Sequence, residues 1–106
     1  MVRIYVDDLR ETPNGFIHFY KVDDCVSYIR RMYKQGITNF YLDLDHDSGD
    51  ADTKDYVEIL KDLEAMRYGG RLKNANITCH FHSGNVVGIQ NMRAIVEANR
   101  SWMKEV

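Results

Sequence analysis

Hydrophobic and polar positions alternate along this chain in two periods, and the period switches between short segments and longer ones. The short segments are rich in β-branched and aromatic residues, which is typical of buried strands, whereas the longer ones repeat apolar residues at helical spacing. The predicted strands are 2–6, 16–20, 38–44 and 77–81. Three amphipathic helices are predicted after the second, third and fourth strands.

Capping and stop residues set the predicted helix bounds. The first helix starts at Asp23 or Asp24 and stops at Gly36. The second is capped by Asp52 or Thr53 and ends at 69–70, with Ser48 and Asp50 left in the loop before it. The third follows Asn85, and its apolar face runs on through Trp102 and Met103.

Strand and helix alternation predicts an α/β fold with a mainly parallel sheet of four strands and about three helices. The chain has 106 residues, which suits a single domain spanning 1–106. The direction of the second strand is left open. In open sheets of this kind ligands bind outside the carboxyl ends of the strands, so residues at three strand ends become candidates.

Composition narrows the class further. The chain is 44% hydrophobic and 28% charged with one proline, as in a globular protein, and its net charge of −2 argues against bulk DNA binding. Two small cationic groups, one at Arg30, Arg31 and Lys34 and the other at Arg67, Arg71 and Lys73, are expected to be solvated helix faces.

The cysteine pattern and the absence of a long apolar run predict a cytoplasmic protein. Cys25 and Cys79 both lie in apolar patterns without a CxxC pair, so two reduced, buried thiols are expected. Asp7 and Asp8 follow the N-terminal apolar run at once, which argues against a signal peptide, and no run approaches the roughly 18 residues of a membrane span.

Two of the strand ends are acidic. Asp7 and Asp8 end the first strand, and adjacent carboxylates repel unless a cation or an arginine neutralises them. Asp45 lies just past the third strand and is the carboxylate best placed to share a divalent cation such as Mg²⁺ with them. His46 is a candidate general acid or base, while Asp43 is expected to belong to the strand. An exposed turn and a solvated loop remain the simpler alternatives.

The fourth strand ends in a histidine and a hydroxyl. His80 and His82 point to the same face, and His82 and Ser83 lie at the strand end before a helix whose free amides could attract a phosphate. For His80 a buried structural role is the simpler expectation, and Ser83 and Asn85 could merely cap the helix. His82 is the stronger functional candidate.

Three stretches carry a resemblance to a known family. YVDDLRETPNGF, LDLDHDSGD and CHFHSGNVVGIQNM resemble the cyclic-phosphate processing receiver-like family, which is distantly similar to the receiver domains of response regulators. Its motifs are DDLR-x-x-P-x-G-[FW], LDHD-[LS]-G and H-S-x-N-x-x-G-x-x-N-M. The resemblance implies a receiver-like, flavodoxin-like three-layer sandwich. It also implies a site made of Asp7, Asp8, Arg10, Asp45, His46, Asp47, His82, Ser83 and Asn85.

Within that site the residue types suggest roles. The carboxylates Asp7, Asp8, Asp45 and Asp47 would hold a divalent metal, Mg²⁺ or Mn²⁺, and Arg10, Ser83 and Asn85 would contact phosphate. His46, His82 and Asp45 would act in catalysis. The expected partner is a phosphate-containing small molecule or an RNA end.

Two departures from receiver domains argue against aspartyl-phosphate signalling. No fifth strand carrying a lysine is predicted, so Lys104 is not expected to replace that lysine, and a Pro-Asn-Gly loop is expected in place of the first receiver helix. The leading hypothesis is therefore metal-assisted processing or binding of a cyclic phosphate. A non-catalytic receiver-like module for signalling or defence is the alternative, and a phosphoacceptor domain with Asp45 as acceptor is the third.

Overall fold

The computed structural model describes residues 1–47 and 54–106, and within them the chain forms five strands and three helices. The strands are β1 (Val2–Val6), β2 (Ile17–Phe19), β3 (Asn39–Leu44), β4 (Asn76–Phe81) and β5 (Met103–Glu105). The helices are α1 (Val22–Lys34), α2 (Val57–Tyr68) and α3 (Val86–Ala98). All adjacent strands are parallel, in the order β2-β1-β3-β4-β5, which is the flavodoxin-like order. The predicted fold class is confirmed, and the second strand runs parallel to the first.

The fifth strand corrects the predicted count of four. Trp102 and Met103 fall at helical spacing in the sequence, but α3 ends at Ala98 and Met103 pairs with Ile77 as the start of β5. Lys104 therefore lies in a strand. It pairs with Thr78, three residues before the end of β4, so it stands about 10 Å short of the carboxyl edge at a rise near 3.3 Å per residue. Its replacement of a receiver lysine remains unsupported.

The three helices form one layer. α1 contacts α2 and α2 contacts α3, and their apolar faces share a single core with alternate residues of the strands, among them Phe40, Leu42, Ile77 and Cys79. The two cysteines are buried free thiols, as expected. In the described residues no helix covers the other sheet face, so the expected third layer is represented only by segment 7–16, whose Phe16 packs edge-on against Tyr5 and Tyr41.

The segment between β1 and β2 confirms that a loop replaces the first receiver helix. Its turn is closed by the Phe16 amide, which donates to the Pro13 carbonyl at 3.3 Å, and Gly15 sits at φ 86°. A side chain at that φ would be strained, so the Pro-Asn-Gly sequence suits this turn.

Two helix starts differ from prediction. The N-cap of α1 is Lys21, and Asp23 and Asp24 lie in its first turn, where their charges favour the positive end of the helix. The N-cap of α2 is Tyr56. The predicted capping residues Asp52 and Thr53, with Ser48 and Asp50, lie outside the described residues.

Strand register brings the three candidate strand ends to one level. Val6 pairs with Leu44, and Leu44 pairs with Phe81, so Asp7, Asp45 and His82 each follow the last aligned residue of their strands. The Asp45 amide donates to the Val6 carbonyl at 2.9 Å and the His82 amide to the Leu44 carbonyl at 3.0 Å. Among the helices described here, none has the length and apolarity needed to cross a membrane.

Candidate functional site

Asp7 is buried at the end of β1, with 1% of its surface exposed. Its Oδ1 accepts hydrogen bonds from the amides of Leu9 (2.8 Å) and Arg10 (2.9 Å), and its Oδ2 lies 2.7 Å from His82 Nε2. Burial alone would raise the pKa of Asp7, but the two amides and His82 stabilise the carboxylate more and lower it. Asp7 is therefore held ionised.

His82 joins three strands through its ring. Nδ1 lies 2.5 Å from Asp43 Oδ1 on β3, and Nε2 meets Asp7 at the end of β1. Burial would lower the pKa of His82, but the hydrogen bonds and charges of Asp43 and Asp7 outweigh burial and raise it. Because both nitrogens face carboxylates, the ring is best satisfied as an imidazolium that donates from each nitrogen.

Aromatic rings fix this network from the open face of the sheet. The Tyr5 ring stacks on His82 with centroids 4.8 Å apart and planes 3° from parallel, and Tyr5 meets His18 edge-on. His18 Nε2 lies 2.6 Å from the Asp7 carbonyl, and His18 Nδ1 lies 2.6 Å from Thr12 Oγ1. His18 thus ties the loop after β1 to β2.

A pair made of one histidine and one carboxylate, His46 and Asp47, lies beside this network. His46 is buried, and its Nδ1 lies 2.7 Å from Asp47 Oδ1. The Asn85 amide nitrogen approaches both Asp47 oxygens, at 3.3 and 3.4 Å. The hydrogen bond with His46 is the main cause that lowers the pKa of Asp47. A carboxylate bound to Nδ1 fixes the tautomer that leaves Nε2 able to accept a proton.

Gly88 makes room for His46. A Cβ at position 88 would lie 2.4 Å from His46 Cγ, which is far inside van der Waals contact. Asn85, the N-cap of α3, accepts the Gly88 amide at 2.8 Å and so holds the first turn of the helix against the ring. The start of α3 thereby positions His46 as well as Asp47.

In the part of the chain that the structure describes, acidic residues and histidines form two groups that could each hold a metal ion. Asp7, Asp45 and His82 offer one ligand atom each within 4.8 Å of one another, and His46, Asp47 and Asp55 form the other group. The predicted metal set is therefore divided, because Asp47 belongs with His46 rather than with Asp7 and Asp45.

Asp8 stands next to the first group and is half-buried. It lines a cavity of about 330 Å³ with the loop residues after β1 and with His18 and Tyr20. Burial is the main cause that raises the pKa of Tyr56, and the charges of Asp8, Asp7 and Asp45 raise it further. These three carboxylates therefore act on one buried phenol, whose hydroxyl donates to the Tyr20 carbonyl at 2.8 Å.

The residues predicted to bind phosphate surround this edge but also hold the structure together. Arg10 Nη1 donates to the His82 carbonyl at 3.0 Å while its side chain stays 59% exposed, so other guanidinium hydrogens face solvent. Ser83 Oγ accepts a hydrogen bond from the backbone amide of Asn85 at 3.0 Å, which leaves the Ser83 hydroxyl hydrogen to donate elsewhere. Asn85 is engaged by Gly88 and Asp47 and serves as a positioning residue.

Sequence reasoning missed Asp43, His18, Tyr5 and Gly88. Alternation does place Asp43 and His82 on one face, so a charged residue inside a buried strand opposite a histidine was the available signal. His18 carried no signal beyond its residue type. His80, expected to be buried, is exposed, and its Nδ1 lies 3.1 Å from the Val106 carbonyl.

Comparison with known proteins completes the description of the site. Searches of curated proteins and of solved structures found no significant match. The family model of the cyclic-phosphate processing receiver domain matches residues 2–98, which include the ends of β1, β3 and β4 and every residue of the candidate site. The chain belongs to the cyclic-phosphate processing receiver domain family.

Proposed function

We propose that this domain binds a cyclic phosphate ester, from a nucleotide or an RNA end, at the carboxyl edge of the sheet and hydrolyses it with the help of a divalent metal. The observation that carries the proposal is the His46–Asp47 pair, an imidazole oriented by a carboxylate at 2.7 Å and placed beside a second acidic network. Histidine and carboxylate pairs of this kind perform proton transfer in hydrolytic enzymes.

His46 is the general base of the proposed reaction. Asp47 accepts a hydrogen bond from Nδ1–H of His46. Nε2 of the same ring then takes a proton from a water molecule, and the water oxygen attacks phosphorus. The ring P–O bond then breaks, the ester oxygen leaves as a hydroxyl after gaining a proton, and a phosphate monoester results. Asp47 and Asn85 orient the base.

His82 is the candidate acid. The hydrogen bonds and charges of Asp43 and Asp7 raise its pKa and so favour the protonated form, which is the one that can transfer a proton to the leaving oxygen. Both nitrogens are engaged by Asp7 and Asp43, so transfer requires the substrate to replace one carboxylate partner. Without that exchange His82 acts by holding Asp7 in place.

The carboxylate chemistry fits a hard cation. Asp7 and Asp45 supply oxygen ligands in one group, with Asp8 adjacent, and oxygen ligands are what Mg²⁺ and Mn²⁺ prefer. Asp7 already accepts three hydrogen bonds, so Asp8 and Asp45 are the better direct ligands. When bound, the cation would neutralise phosphate charge and polarise its oxygens. Arg10 and Ser83 would contact the remaining phosphate oxygens.

The direct test is incubation with 2′,3′-cyclic nucleotides in the presence of Mg²⁺ or Mn²⁺, with separation of the products. We expect a nucleoside monophosphate, formed more slowly by the Asp45→Asn variant. Absence of turnover with every metal, together with unchanged ligand binding by Asp45→Asn, would overturn the proposal.

A second candidate function is a non-catalytic interaction module. Leu9, Val86 and Val87 are large apolar residues at the same edge and are 88%, 68% and 65% exposed, and exposed apolar groups often mark binding surfaces. A partner whose binding is lost in Val86→Ser but is unaffected by substitution of His46 and His82, in a domain without turnover, would favour this role.

A further inference from the structure

The two cationic groups of the sequence meet in one cavity at the amino ends of the strands. The cavity has a volume of about 590 Å³ and lies between the last turns of α1 and α2 and the segment leading into β4. Its charged lining residues are Arg30, Lys34, Arg71 and Lys73, and no Asp or Glu among the described residues lines it. It lies at the edge opposite the candidate site.

These four cations lack the carboxylate partner that five of the other ten Lys and Arg residues have in the described chain. Arg10, Lys54, Lys61, Arg93 and Arg100 each lie within 4 Å of a carboxylate. Among the described residues, no carboxylate lies that close to any of the four cavity cations. Four exposed cations grouped around one cavity give it a locally positive potential on a chain of net charge −2, which favours binding of an anion there.

The ends of α1 and α2 account for only part of the charge. Each helix C-terminus carries roughly −0.5 of an elementary charge, and cations are commonly placed near it. Two such ends offset about one of the four positive charges. The remaining positive charge is available to a ligand.

The segment between α2 and β4 is anchored by hydrogen bonds, and two of its cations, Arg71 and Lys73, line the cavity. Leu72 is buried at φ 55°, a conformation that leucine rarely adopts, and it lies between Arg71 and Lys73. Its carbonyl accepts Arg67 Nη1 at 2.7 Å, and the Asn74 amide donates to the Tyr33 hydroxyl at 3.2 Å. A strained and well-anchored loop is typical of a binding site.

The remaining lining is aromatic and apolar. Tyr33 and Met66 are half-buried, and with Leu72 they give a surface on which a planar ring could stack. The volume is in the range of about 300–1,000 Å³ found for small-ligand pockets. We propose that this cavity binds a nucleoside polyphosphate, with its phosphates on the four cations and its base against Tyr33, Met66 and Leu72. This assignment does not depend on the proposed function of the opposite edge.

The test is calorimetric titration of the protein with ATP in EDTA, which keeps metal from the carboxylate edge. We expect saturable binding that weakens at high salt, because the cations are exposed and their attraction is screened. Arg71→Gln and Lys34→Gln should each weaken binding at least about tenfold, since each loses a charged contact. Arg100→Gln and Lys61→Gln, which remove cations outside the cavity, should bind as the parent does.

Further titrants separate the possible ligands. Tripolyphosphate and adenosine should both bind more weakly than ATP, and Asp45→Asn should leave ATP binding unchanged. The proposal is overturned by a lack of saturable ATP binding, by equal binding in Arg71→Gln and Lys34→Gln, or by equal affinity for tripolyphosphate. Binding of a short RNA without binding of ATP would also overturn it.

Discussion

Asp43 and His82 face each other across neighbouring strands, with Oδ1 and Nδ1 2.5 Å apart, and Asp7 meets the other nitrogen of the same ring. One imidazolium therefore connects β1, β3 and β4 at the edge where the candidate site lies. The protonation of this ring should govern both the local structure and the stability of the domain.

Replacing Asp43 with Asn should lower the pKa of His82 towards its ordinary value of 6.5, because one of two carboxylates that favour the imidazolium is lost. NMR titration of the His82 ring measures this directly. Asp24→Asn, which changes an acid in the first turn of α1, should leave the titration unchanged. An unaltered His82 titration in Asp43→Asn would contradict the network.

The stability of the parent protein should also depend on His82. Because its folded pKa is raised, its contribution is fully present below 6.5 and is lost as the pH rises through the higher folded value. Urea unfolding across that interval should show the free energy of unfolding falling with pH. The fall should be smaller in Asp43→Asn.

Asp7→Asn should lower the free energy of unfolding by about 2–4 kcal/mol near neutral pH, because an amide nitrogen would replace an acceptor that faces His82. Asp8→Asn is the matched control. Asp8 is half-buried, and no residue in the described part of the chain hydrogen-bonds to its side chain, so its loss should cost less.

The cost of Asp7→Asn should shrink in acid. The pKa of Asp7 is lowered from 3.8, so its contribution is present above 3.8 and is lost as the pH falls through the folded value. Urea unfolding of both proteins at neutral and acid pH provides the comparison. A difference that stays constant down to the acid limit would contradict this reading of Asp7.

Gly88→Ala should displace His46, since the new methyl group would overlap its ring. The steric cost of about 1–3 kcal/mol exceeds the gain of about 1 kcal/mol from helix propensity, so a small loss of stability is expected. NMR shifts of the His46 ring report the displacement. Gly84→Ala is the control because its Cβ would meet nothing within 4 Å, and an unchanged His46 ring in Gly88→Ala would refute the close packing.

His46→Gln should reduce hydrolysis of a 2′,3′-cyclic nucleotide by roughly 10²–10⁴-fold if His46 is the general base. His80→Gln removes an exposed histidine from β4 and should leave the rate unchanged. The measurement is product formation with the metal that supports turnover. Equal rates for the two variants would exclude His46 from the chemistry.

The periods in the sequence were sufficient to predict four strands, three helices and the sheet edge at which the candidate residues meet. The fifth strand was missed because Trp102 and Met103 follow α3 at a spacing that also continues its apolar face. The single helical layer was missed because residue periods describe which face is apolar and do not show how many helices the sheet supports.

Within the site, the sequence predicted the strand-end residues but not their partners. Asp43 and His82 meet because of strand register. Asp43 pairs with His80, and His82 follows two residues later on the same face of the sheet. Likewise, Asp47 is held by Asn85, the N-cap of α3, which in turn accepts the Gly88 amide, and no local sequence pattern could indicate these contacts.

The packing of His46 on Gly88 has an evolutionary consequence. The space for the imidazole exists only because position 88 carries no side chain, so the two positions are not free to vary independently. In related sequences we expect a side chain at position 88 to accompany a smaller residue at position 46, and a histidine at 46 to accompany glycine at 88.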